Sequence, residues 1–85
     1  MPLFVVWNDD PDDPDSNVRH VADHGISQDE VEEVLQNPTG ETTSDSSGRP
    51  LAFGITSTGR LIAVVYEQLD EDTVYPVTAY EPDLD

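Results

Sequence analysis

The sequence predicts an α+β fold with the element order β-α-α-β-β-β, an antiparallel meander sheet with two helices packed on one face. Three observations predict it. A Val- and aromatic-rich run opens the chain, two capped helical patterns follow, and three apolar stretches of strand length, separated by turn residues, fill the second half. With 85 residues there is one domain, 1–85, and a chain this short buries only about 60% of its unfolded surface. Its stability is therefore expected to be modest or shared with a partner.

Leu3 to Trp7 reads as the first strand, closed by Asn8-Asp9-Asp10-Pro11. The acidic stretch 8–15 that follows is expected to be a mobile, solvated loop. Asp15 or Ser16 can cap a short helix over about 16–24, in which Val18, Val21 and Ala22 share a face and Gly25 stands where a helix-ending glycine belongs. The second helix, 28–36, has the clearer start. Ser27 and Glu30 form a capping box, Ile26 and Val31 a hydrophobic staple, and Asp29 and Glu30 suit the positive end of the helix dipole. Its buried stripe is Val31, Val34 and Leu35, and Asn37-Pro38 ends it.

Residues 37–50 are almost wholly polar and are expected to form a mobile loop, with one weak edge pairing near Thr42. Leu51, Phe53 and Ile55 then alternate with Ala52, Gly54 and Thr56, a strand that turns at Ser57-Thr58-Gly59. The strand from Arg60 to Glu67 is apolar on both faces over Leu61 to Val65, so it is central. A turn at Asp70 to Asp72 leads into a last strand, Thr73 to Glu81, where Pro76 requires an edge position or a bulge. The tail from Pro82 to Asp85 is expected to fray.

Composition bounds the function. The net charge is -16, from 19 acidic residues against three arginines and no lysine. Phosphate binding needs cationic side chains, so only Arg19, Arg49 and Arg60 could serve a nucleic acid, and the field repels polyanions and anionic membranes. Basic partners, divalent cations or a salty cytoplasm fit such acidity. With no cysteine there is neither a disulfide framework nor a cysteine-bearing metal site. No apolar run has transmembrane length and the N-terminus lacks a signal-peptide pattern, so a cytoplasmic location is expected.

Several segments match a known pattern: Trp7-Asn8, Asn17-Val18-Arg19-His20, His24-Gly25-Ile26-Ser27, Gly54 to Glu67 around Gly59-Arg60, and Pro76-Val77-Thr78-Ala79-Tyr80-Glu81. Together they resemble the BrnT-like toxins of type II toxin-antitoxin systems, in particular a branch ending in Thr-Ala-Tyr-Glu. That resemblance covers nearly the whole chain. It implies a RelE-like fold, RNA cleavage and neutralisation by a cognate antitoxin. Departures accompany it: Asp23 stands where the toxins carry lysine, His20 where they carry asparagine, and Thr78-Ala79-Tyr80 where they read Ser-Ala-Arg before a basic helix.

Metal-free RNA cleavage needs a base, an acid and a cation for the phosphate, and His20, His24, Arg60 and Tyr80 are the candidate catalytic residues. The structural alternative is that His24 serves the helix C-terminus and Arg60 pairs with carboxylates. His20 and His24, four apart, could also begin a metal site, but no spacing supplies a third ligand and no metal or other cofactor is expected. Asp13, Asp15 and Asn17 imitate the start of a calcium loop, yet Val18 replaces its glycine and His24 its final glutamate. Trp7, Tyr66 and Tyr80 read as sheet aromatics, and Ser44 to Ser47 lack the surroundings of a nucleophile. The leading functional reading is a non-catalytic or degenerate toxin-related interaction module, bound by a cognate antitoxin or another basic protein. Its rivals are a salt-adapted endoribonuclease, the one case with an RNA partner, and an acidic module docking on a basic protein. No membrane partner is expected, and a homodimer could form through an exposed strand edge.

Overall fold

In the computed structural model, which describes residues 3–44 and 48–82, β1 spans Phe4–Val5, α1 Asn17–Asp23 and α2 Gln28–Gln36. Strands β2 to β5 span Gly40–Thr43, Pro50–Ile55, Leu61–Gln68 and Thr73–Tyr80. They form one sheet in the order β1-β5-β4-β3-β2, with both helices on the same side. The expected α+β class, both helices and the last three strands are present.

Two expectations about the sheet are corrected. The meander is antiparallel only from β2 to β5, because β1 joins parallel to β5, with Phe4 opposite Thr73 and Val5 opposite Val74. The Phe4 amide donates to Asp72 O at 2.7 Å and the Val6 amide to Val74 O at 2.9 Å. With β2 holding the far edge, the outer edge of β5 is the one left for β1. The second correction is β2 itself, an additional strand within the polar stretch, which makes the order β-α-α-β-β-β-β. Its pairing of Thr42 opposite Leu51 is where the weak edge contact is expected, but it extends over the whole of Gly40–Thr43. The tripeptide at 45–47, with most of the Ser44 to Ser47 cluster, and the tail at 83–85 lie outside the described residues.

Helix α1 begins at the buried Ser16, whose hydroxyl accepts from the Arg19 amide, and ends in a Schellman motif. The Ile26 amide donates to Val21 O and the Gly25 amide to Ala22 O, both at 2.9 Å. Gly25 has φ of 75°, a conformation in which any side chain is strained. Helix α2 has the full capping box, with the Glu30 amide on Ser27 Oγ and the Ser27 amide on Glu30 Oε1. The expected buried stripe of Val31, Val34 and Leu35 faces the sheet.

One tightly placed polar side chain joins β1, α1 and β5. Asn17, 1% exposed, donates from Nδ2 to Val6 O and to Pro76 O, each at 2.9 Å, and accepts the Asn8 amide at 2.8 Å. Pro76 occupies an interior strand because it sits at a β-bulge. Val65 pairs with Thr78 and Tyr66 with Pro76, leaving Val77 as the extra residue.

The sheet divides the apolar residues into two clusters. On the helix side Ile62, Val64, Tyr66, Val74 and Ala79 pack with α1 and α2, and Leu3, Val5 and Trp7 close that core from β1. On the other side Leu51, Ala63 and Val65 form a floor beneath Phe53, Val77 and Tyr80, with no helix over it. No helix among the described residues is long and apolar enough to cross a membrane.

Candidate functional site

The β3–β4 hairpin positions Arg60. The Thr56 amide donates to Arg60 O at 2.9 Å, the Arg60 amide donates to Thr56 Oγ1 at 3.1 Å, and Thr56 is buried beneath the turn. From there the guanidinium reaches across the end of the helix layer. Nη1 donates to Glu30 Oε2 at 2.7 Å, to Glu30 Oε1 at 2.9 Å and to Gly25 O at 3.3 Å. Nη2 donates to Glu81 Oε1 at 2.5 Å. Arg60 is thus held by one carboxylate from the start of α2 and another from just beyond β5.

The electrostatics follow from these contacts. The Ser27 amide, donating into the capping box, does most to hold the Glu30 carboxyl below its usual range, and Arg60 lowers it further. The bond that Arg60 donates to Glu81, followed by those it donates to Glu30, raises Arg60 above its already high value. A guanidinium between two carboxylates presents little net positive charge. A phosphate arriving there would meet two like charges and would have to displace one of them.

The four candidate catalytic residues are distributed over both sides of the sheet. His20 lies half-buried on α1, and His24 is the exposed C-cap, its amide donating to Val21 O at 3.1 Å. The Arg60 contact with Gly25 O puts the guanidinium beside the residue that follows His24. Tyr80 belongs to the opposite face, packed with Leu51, Ala63 and Val65. Arg60 thus reaches the backbone of the residue after His24, while Tyr80 stands beyond the sheet.

The three arginines do not converge. Arg60 precedes β4 and Glu67, the partner of Arg49 at 3.1 Å, lies near its other end, a separation of about 23 Å at ~3.3 Å per residue. Arg19 is exposed on α1.

Among the described residues no cluster of three or more His, Asp or Glu side chains is arranged to hold a metal ion. The calcium-like triplet has structural work instead. Asp13 accepts Asn8 Nδ2 at 2.8 Å and the Asp15 amide at 2.9 Å, and Asn17 is committed to backbone groups. Trp7 donates its indole N–H to Glu32 at 3.3 Å, and the Tyr66 hydroxyl donates to Glu41 at 3.2 Å. Burial, with Glu41 beside it, raises the Tyr66 hydroxyl above its ordinary value.

Sequence reasoning missed an apolar sheet face that no described helix covers. The strand register places Phe53, Ala63 and Tyr80 in one row across the helix-free face, and Thr42, Leu51, Val65 and Thr78 in the next. A concavity of ≈ 360 Å³ opens above Ala63, bounded by Leu61, Phe53, Tyr80 and Pro82. Alternating Leu51, Phe53 and Ile55 are the available signal, since they fix a second apolar face that two helices on one side cannot cover. No family model matches the chain, and neither a curated protein nor a solved structure resembles it significantly. The class that fold and site define is a small acidic α+β protein with a one-sided helix layer and an open sheet face.

Proposed function

We propose that this protein is a non-catalytic interaction module, a cytoplasmic relative of the BrnT-like toxins with a RelE-like fold, that binds a basic protein such as a cognate antitoxin. The observation that carries the reading is the double carboxylate clamp on Arg60, whose guanidinium also donates to Gly25 O. A phosphate-binding centre needs that charge free, and here Glu30 and Glu81 consume it. The same acidic surface that repels RNA attracts lysine and arginine side chains, and a charge of -16 steers a basic partner into encounter.

The contact between Arg60 and Gly25 favours the rival, a metal-independent endoribonuclease adapted to high salt, because it brings a cation to the backbone of the residue that follows His24. Titration of a labelled single-stranded RNA and of a labelled Lys/Arg-rich helical peptide separates the two. The interaction module binds the peptide, with affinity falling steeply as salt is raised from about 0.1 M to about 1 M, and does not bind RNA. Salt-resistant RNA binding that is lost in Arg60→Ala overturns the reading.

A further inference from the structure

We propose that the helix-free face of the sheet is the interface between two copies of this chain, which pair face to face with their helices and acidic loops directed outward. The face is broad and apolar. Strand register and alternation bring Phe4, Phe53, Ile55, Leu61, Val77 and Tyr80 to it, and Phe4 and Ile55 are 59% and 63% exposed. Buried Ala63 and Val65 lie lower between these larger side chains, so the surface has both projections and the ≈ 360 Å³ concavity to receive them.

Charge selects the occupant. Among the described strand residues, the register places one carboxylate on this face, Glu67, and Arg49 engages it. A basic partner would find its complement elsewhere, on the acidic loop and the helix side. Two chains of charge -16 approach most readily where carboxylates are fewest, and the described strand residues of this face present one, paired with Arg49. The dimensions suit a weak, concentration-dependent dimer. The 28 strand residues, at ~3.3 Å rise and ~4.8 Å spacing, give a projected footprint of about 440 Å² per copy before side-chain relief is added. That lies below the ~800 Å² per partner of a standard interface, in the range of transient association. Two sheets stacked about 10 Å apart with aligned strands bury such faces in sandwich folds, and a two-fold axis makes the contact self-complementary. This differs from pairing through the outer side of the C-terminal strand, where β1 pairs with β5 and Asn17 binds Pro76 O.

The pairing has a salt signature opposite to that of ionic association. The interface carries one ion pair and no net charge while the outward surfaces repel, so screening strengthens the dimer. Sedimentation equilibrium of the full chain up to about 1 mM, in about 0.1 M and about 1 M KCl, measures it. The expected result is a species of twice the 9.4 kDa chain mass, more populated at the higher salt. Ile55→Glu and Ile55→Arg, both at a side chain exposed in the single copy, weaken dimerisation at least about tenfold although they change the net charge in opposite directions. Asp12→Lys, in the exposed acidic loop, does not weaken it. Far-UV circular dichroism establishes that each variant is folded. A monomer throughout the range, a dimer indifferent to both Ile55 substitutions, or a monomer that buries this face only against an added amphipathic peptide overturns the proposal.

Discussion

At the level of single residues, Asn17 and Glu30 carry the most consequence. Asn17 satisfies three backbone groups of segments distant in sequence, so Asn17→Ala removes three hydrogen bonds and strips buried carbonyls of their donor. At about 1 kcal/mol each, the expected loss is ~3 kcal/mol, measured as a shift in the urea midpoint. Asn17→Asp is expected to cost more, since a carboxylate oxygen then faces two carbonyl oxygens. Glu30 gives a pH signature. Its carboxyl is depressed in the folded state, so its contribution is full above the ordinary glutamate range, ~4.3, and is lost as pH falls through the lower folded value. The stability difference between the protein and Glu30→Gln should be largest near neutrality and close in acid. A difference that does not shrink as the pH is lowered contradicts the ion-pair assignment. The sequence made Glu30 legible as a capping residue because Ser27 lies three positions before it. Its second partner, Arg60, is 30 residues away, and no local pattern announces such a pair.

At the level of elements, the parts with short-range causes were readable and those with long-range causes were not. Helix α2 was legible to its ends because capping box, staple and Asn37-Pro38 all lie within or beside it. Helix α1 ends where Gly25 indicates, and Gly25→Ala should cost about 1 kcal/mol through the positive φ, with near-normal helix content by circular dichroism. Strand β2 was readable only as a contact near Thr42. Three of its four residues are exposed, and what fixes its register includes the Phe53 ring lying over Gly40, where an added Cβ would come within 2.4 Å of the ring. The parallel docking of β1 was illegible for a similar reason. Leu3 to Trp7 has strand composition, but its partner at Thr73 is set by which sheet edge the rest of the chain leaves open. Among the candidate site residues, Arg60 reaches the backbone of Gly25, the residue after His24. Tyr80 stands on the opposite face, because the β4–β5 register aligns it with Ala63 and fixes its side of the sheet.

At the level of the whole molecule, the charge of -16 opposes compaction while the apolar faces favour it. Raising KCl from about 0.05 M to about 1 M should therefore raise the thermal midpoint by ~5 °C, equivalent to ~1 kcal/mol for a domain of this size. A fall in the midpoint would mean that the ion pairs of Arg49 and Arg60 outweigh the general repulsion. The molecule has two surfaces of different chemistry: an acidic helix side, where Arg60 is clamped, and a neutral apolar sheet side. The first is the surface proposed for a basic protein and the second the one proposed for a copy of the same chain, so each can be tested without the other. The most direct measurement is cleavage of total RNA by the folded protein across a KCl series, beside Arg60→Ala and His20→Ala. An interaction module leaves RNA intact at every salt concentration, as do both variants. Cleavage by the unsubstituted protein that disappears in both variants would contradict it, and would make the carboxylate clamp on Arg60 a resting state that RNA displaces.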